Sequence, residues 1–312
     1  MKIYKYASIE SALKILEDRR LLLRNPLVFN DPFDSNAKRS KKDITKVRKI
    51  MTSFTSATLL VQLSMDPNIA PKVQRNPLFL TVCKEYQTLV NALKIYPRFD
   101  GNFGFRTLYK LLGLKSSAFK ELADKNIEKF ELMVTDSIEH TKKDALATCF
   151  SKVHDSILMW SHYADSHAGV CIEYERPNTK EFVDVVYKKK RPQLELAELI
   201  SFTSATAIIG QDYNHQLDDA LSMKTIRPFY TKSIDWKYEQ EVRCLTTTSA
   251  KSTNVVLDNG SYYFKMPKPS KIYIGCRAKG REMNKLIALA KKQKIKIVFL
   301  KDDDNEFALT EK

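Results

Sequence analysis

Glu239 and Glu241, in the run DWKYEQEVRC (235–244), are separated by one residue at the start of a strand-like segment. Successive strand side chains alternate between faces, so this spacing predicts both carboxylates, with Arg243, on one face. Two carboxylates held together raise the pKa of one of them unless a cation compensates, and Arg243 or a nearby lysine is available. The chemistry such a pair permits is glycosyl transfer. One carboxylate stabilises a developing cation while the other orients a nucleophile. The same spacing also fits an exposed, salt-bridged strand edge.

A second group of candidates lies in TCFSKVHDSILMWSHYADSHAGVCIEY (148–174). A strand ending at Ser151, a short helix carrying Trp160, His162 and Tyr163, and a turn at His167–Gly169 would bring Ser151 and Tyr163 to one cleft mouth. His162 and His167 are five apart, whereas a helical metal pair needs three or four, so no metal site is expected. A Ser–His nucleophile pair has neither a GxSxG elbow nor an acid partner. Lys5, flanked by Tyr4 and Tyr6 in the first strand, is the remaining candidate; alone it is a weak signal, because a strand lysine between tyrosines is usually an exposed edge.

The elements that must position these residues follow from periodicity. KIYKY (2–6) reads as a strand, and Ser8 as the N-cap of a helix in which Ile9, Ala12, Leu13 and Leu16 recur at helical spacing. Asn25-Pro26 and Asn30-Asp31-Pro32 predict an ordered turn over 30–36. Residues 42–143 carry helix-period apolar spacing broken by Pro, Asn and Gly. From 144 the pattern changes to short β-branched and aromatic strands, with helical segments at about 155–166, 192–226 and 281–293. The fold class is therefore α+β. A strand–helix part (1–36) and a β-rich part (144–312) form a split antiparallel core, and 37–143 is a helical insertion.

Composition bounds the possible functions. The chain has 312 residues and a net charge of +15, with Lys plus Arg 52 against Asp plus Glu 37. Residues 37–50 hold seven Lys/Arg and one Asp, and Lys188–Arg191 is a second basic run. This charge favours an anionic macromolecule such as nucleic acid, bound through 37–50 and 188–191, or else marks solvated faces. No aromatic ladder is interleaved with either run, so the sequence itself offers no stacking platform for single strands. No GxGxxG or GxxxxGK[ST] loop is present. The absence of a signal-like or membrane-length apolar stretch predicts a cytoplasmic protein. The five scattered cysteines, without a CxxC, predict reduced thiols.

Lys5-Tyr6, FNDPFD (29–34), CFS (149–151), MWSHYADSHAGVCIEY (159–174) and W-x-YE-x-E-x-R (236–243) together resemble the DUF2971 family. That family is of unknown function, and the helical block lies outside the resemblance. More distantly, the motif order is similar to the ADP-ribosyltransferase fold. The likeness implies NAD as substrate, no metal, and transfer of ADP-ribose to a protein or nucleic acid, in the setting of a bacterial toxin or antiphage effector. Glu241 would hold the nicotinamide ribose and Glu239 would orient or deprotonate the acceptor. Tyr163, Tyr4 or Trp160 would pack on nicotinamide or adenine, with Asn30 in a donor loop (29–35). Lys5 and Ser151 would hold ribose or phosphate. Lys5 stands where the fold carries His or Arg and cannot make a bidentate contact, which leaves another nucleotide open. The alternatives are a nucleic-acid-binding protein with a degenerate nucleotide cleft, or 2′-phosphate transfer from RNA, against which the two glutamates count.

Overall fold

Alternation of apolar side chains on two faces is what turns the β-rich segments into one large sheet. A computed structural model describes residues 1–35, 38–39, 44–68, 70–95, 98–101, 108, 110–111, 113, 116–194, 196–210, 227–250 and 252–312. Lys41 and Lys42 of the basic 37–50 run lie outside these residues. The strands are β1 (Lys2–Ala7), β2 (Arg20–Leu23), β3 (Lys38–Arg39), β4 (Ala145–Ser151), β5 (Val170–Glu175), β6 (Phe182–Asp184), β7 (Val186–Lys188) and β8 (Gln193–Leu194). They continue with β9 (Thr231–Ser233), β10 (Glu241–Thr247), β11 (Val255–Asp258), β12 (Ser261–Lys265), β13 (Lys271–Ile274), β14 (Lys296–Asp302) and β15 (Leu309–Glu311). The molecule is mixed α+β, and the chain divides into two units.

The first unit comprises Met1–Asn36, Thr141–Arg191 and Pro228–Lys312. Its sheet has the order β15-β14-β13-β5-β1-β4-β10-β6, antiparallel except for β13 and β14. That parallel pair needs a crossover, which the helix Arg281–Lys292 supplies. The join at the centre is narrow. β1 pairs with β5 at six positions but with β4 only at Tyr4–Ser151.

One face of this sheet, with Ile3, Phe150, Ile172, Val242, Cys244 and Ile272, forms the main apolar core with Ala12 and Leu16 and with Leu286 and Ala290. The helix Ile9–Asp18 begins at Ser8, whose hydroxyl accepts from Ser11 N–H at 3.2 Å. The opposite face carries Tyr4, Tyr6, Cys171 and Tyr273, covered by Met159 and Trp160 of the helix Ile157–Tyr163. Gly169, just before β5, has no room for a side chain, because a β-carbon there would lie 2.3 Å from the Ala7 carbonyl oxygen.

The second unit comprises Ala37–His140 and Pro192–Arg227. Its described helices include Ile44–Met65, Pro77–Ile95 and Leu196–Ile209, around a core with Val47, Ile50, Leu60, Val82, Ala197 and Ile200. The helix Leu196–Ile209 therefore belongs to the unit of the helical block rather than to the β-rich part where the sequence reading puts it. The reason is its sequence, LAELISFTSATAII, which is apolar nearly all round and needs helices on several sides to bury it. The remainder of the helix read over 192–226 falls at 211–226, outside the described residues.

Candidate functional site

Glu239 and Glu241 come together, but not by strand alternation. Glu239 ends a 3-10 turn, Ile234–Glu239, capped by the Ser233 hydroxyl. Gln240 then takes a left-handed conformation (φ 43°), which stops the turn and starts β10 at Glu241. The expectation of two carboxylates alternating along one strand is corrected accordingly. A lysine joins them instead. Lys232 Nζ lies 2.6 Å from Glu239 Oε2 and 3.3 Å from Glu241 Oε2.

Arg243, two residues into the strand, is completely buried and fixes Glu241. Its Nε donates to Glu241 Oε1 at 2.6 Å and its Nη2 to Glu241 Oε2 at 3.2 Å. The remaining donors reach Asp34 at 2.8 and 2.5 Å, Ser35 Oγ at 3.1 Å and the Phe229 carbonyl at 2.7 Å. Every guanidinium N–H is satisfied, as a buried cation requires. Three carboxylates (Asp34, Glu239, Glu241) thus face two cations (Lys232, Arg243) in a site almost closed to water.

The two glutamates titrate apart. Burial alone would raise Glu241, but Arg243 and Lys232 outweigh it and hold the group at about 2. Burial pushes Glu239 above the usual carboxylate range, and Glu241 adds to this, although Lys232 and the Tyr163 hydroxyl pull the other way. Burial would lower Lys232, yet the two glutamates raise it. Glu241 is therefore a fixed charge, whereas Glu239 is the carboxylate whose proton occupancy can change.

Tyr163 donates to Glu239 Oε1 at 2.6 Å, and the exposed Asn30 side chain hydrogen-bonds Tyr163. Ser151 donates to the Glu239 carbonyl at 2.7 Å and accepts from Val153 N–H. It locks the turn rather than facing a ligand. Tyr187 OH accepts from the Glu241 backbone N–H at 2.7 Å. Half-buried Trp236 and Tyr238 complete the outer side, with Lys232 4.7 Å from the Trp236 ring centroid.

Of the other sequence candidates, Lys5 is on the opposite sheet face. In register it shares a side with Ile3 and Phe150, while Tyr4, Ser151 and Glu241 point the other way. Its ammonium donates to Thr148 Oγ1 at 3.0 Å and to the Cys149 carbonyl at 2.9 Å, bridging the narrow β1–β4 join. Burial lowers its pKa. Trp160 is fully buried, packs edge-on to Tyr6 and donates to the His154 carbonyl. Tyr4 stacks on His154, in a separate cluster where Glu173 accepts from Ser270 at 2.7 Å and Tyr273 at 3.1 Å and pairs with Lys2 at 3.1 Å. The expected convergence of Lys5, Tyr4 and Trp160 with the glutamates does not occur, because β1 alternation and the packing of the Ile157–Tyr163 helix point them elsewhere.

Sequence reasoning missed Asp34 and Lys232. Asp34 sits within the FNDPFD motif, and that motif is the signal that could have found it. Lys232, in an ordinary TKS strand, has none. Among the described residues no cluster of His, Cys, Asp and Glu forms a metal site, all five cysteines are free, and no helix is long and apolar enough to cross a membrane.

Residues 159–244 match the family model of DUF2971, described as a protein of unknown function, so the resemblance read from the sequence is borne out over that span. The span holds Tyr163, Lys232, Glu239, Glu241 and Arg243, and leaves Asn30, Asp34 and Ser151 outside. No curated protein and no solved structure matches the chain.

Proposed function

We propose that this chain transfers ADP-ribose from NAD to a macromolecular acceptor, with the Asp34–Arg243–Glu241–Lys232–Glu239 network as its charge framework. The asymmetry of the two glutamates carries this reading. Glu241 is clamped by both cations, whereas Glu239 shares only Lys232 and meets the Tyr163 hydroxyl on the side of exposed Asn30. In this reading Glu241 stays ionised and supplies a fixed negative field to an oxocarbenium-like ribose. Glu239 accepts the acceptor's proton, so the network carries one excess negative charge before that step and none after it. NAD would enter along Asn30 and Tyr163, with Tyr238 and Trp236 as the flanking rings.

Two further observations support the reading. A buried ion network stabilises a fold poorly compared with apolar packing, so its presence favours a chemical role. The single-position join of β1 and β4 agrees with the split sheet of the ADP-ribosyltransferase fold. Free thiols and the use of NAD suit a cytoplasmic setting in this reading. A non-catalytic nucleic-acid-binding protein is the second reading, favoured by the exposed Lys188–Lys190 run.

Labelled NAD turnover tests the proposal, with cell extract as acceptor source. Glu239→Gln should reduce ADP-ribose transfer by about a hundredfold or more. Nicotinamide release to water should fall less, because water needs less orientation than a bulky acceptor. Wild-type protein that releases no nicotinamide under any acceptor condition overturns the reaction, and equal transfer by the variant removes Glu239 from it.

A further inference from the structure

Lys188 ends β7, whose neighbour in the parallel pair is β9, with Tyr187 opposite Lys232. The chain leaves the network there and runs through Lys189 and Lys190, both exposed, to Arg191. None of these three lysines pairs with a carboxylate among the described residues, whereas nearby Lys152 and Arg176 are both committed to Asp184. Arg191 turns back over Phe33, its guanidinium carbon 4.4 Å from the ring centroid.

Phe33 is 63% exposed, on backbone that is tied down on both sides. The buried Asp31 side chain accepts from its backbone N–H at 2.8 Å, and the following residue, Asp34, is tied to Arg243. The loop therefore holds a flat apolar ring out in water, backed by a flat cation and followed in the chain direction toward β7 by three ammonium groups with no carboxylate partner among the described residues. A base stacks on such a ring and its phosphates meet the lysines, the combination used to hold single strands without sequence preference. A duplex keeps its bases stacked on one another and can use only the charges. The ring comes from the 29–35 loop, so no reading of the 188–191 run alone finds it.

We infer that Phe33, Arg191 and Lys188–Lys190 form a surface for single-stranded nucleic acid, which, resting on the ADP-ribose reading, is the acceptor. Fluorescence anisotropy on the full chain tests it, with labelled oligothymidylate, oligouridylate and a duplex DNA of equal length, at several salt concentrations. Single strands should bind more tightly than duplex. Phe33→Leu keeps an apolar side chain but removes the stack, and should weaken single-strand binding about tenfold while leaving the duplex nearly unchanged. Lys189→Glu with Lys190→Glu should weaken both and flatten the salt dependence. Thermal unfolding of each variant reports that the fold is intact. Equal affinity for duplex and single strand, or no effect of Phe33→Leu, overturns the stacking surface. Absence of binding to every oligonucleotide overturns nucleic acid as the partner and leaves a protein acceptor. Nicotinamide release to water, measured without oligonucleotide, reads the chemistry separately. Tight single-strand binding by a chain that releases none keeps the surface and overturns its role as acceptor site.

Discussion

Glu173 and Glu241 lie on the same face of the central sheet, in one row that crosses Tyr4 and Ser151, and are equally buried at 6% and 4% exposure. They are satisfied in different ways. Glu173 uses two neutral hydroxyls, Ser270 and Tyr273, and the half-exposed Lys2. Burial would raise its pKa, but those hydrogen bonds lower it, and no further charge is needed. Glu241 has instead a fully buried arginine. That arginine also binds Asp34, Lys232 offsets the second of these two carboxylates, and Glu239 is the one carboxylate in excess. A buried carboxylate whose cation reaches water is satisfied by local donors. One whose cations are themselves buried commits several elements of the chain, and the last group added is left with a displaced proton affinity.

The largest expected effect separates these two clusters by stability. Arg243→Met leaves Asp34 and Glu241 buried without their main cation and should cost about 3–5 kcal/mol in urea unfolding. Glu173→Gln should cost about 1 kcal/mol, since neutral donors remain and Lys2 is solvent-screened. Similar losses for both would erase the difference between the two clusters.

Acid titration sharpens it. The folded pKa of Glu241, about 2, lies below its ordinary value of 4.5, so protonation opposes folding. Its stabilisation is complete above about 4.5 and is lost as pH falls toward 2, a drop of about 3 kcal/mol. Glu239 has the opposite sign. Its raised pKa adds stability at low pH and removes it as pH rises through the folded value. Glu239→Gln should therefore leave stability at pH 7 unchanged or higher while it cuts turnover. A loss above about 2 kcal/mol would make Glu239 a structural partner of Lys232 instead.

The smallest expected effect concerns Lys5. With its ammonium on the other face, Lys5→Met should change nicotinamide release by less than about twofold, because electrostatic effects fall off with distance and no contact to the site is lost. A large fall in release, with the fold intact by circular dichroism, would bring Lys5 back into the site.

Local chemistry made much of the fold legible. The Ser8 cap, the period of the first helix, the strands around Cys149, Cys171 and Cys244, and the α+β division all depend on residues within a few positions of one another. The same locality yielded Glu239, Glu241, Arg243 and Tyr163 as a group worth testing. Locality also explains the errors. A left-handed Gln240 breaks the alternation assumed for the two glutamates, and no neighbouring residue announces it.

The sequence by itself determined which residue types were available: an excess of basic charge, two close glutamates and the motifs around them that resemble DUF2971. It determined the strands as well, because side-chain periodicity is a property of the chain before it folds. Only the tertiary structure decided which charges became partners. Asp34 meets Arg243 and Phe33 meets Arg191 across long stretches of chain, Lys232 meets both glutamates across the intervening 3-10 turn, and Lys5 is turned away by one step of strand register. Coulombic pairing in a dry interior depends on distance and desolvation, and neither exists until the sheet has closed over the network.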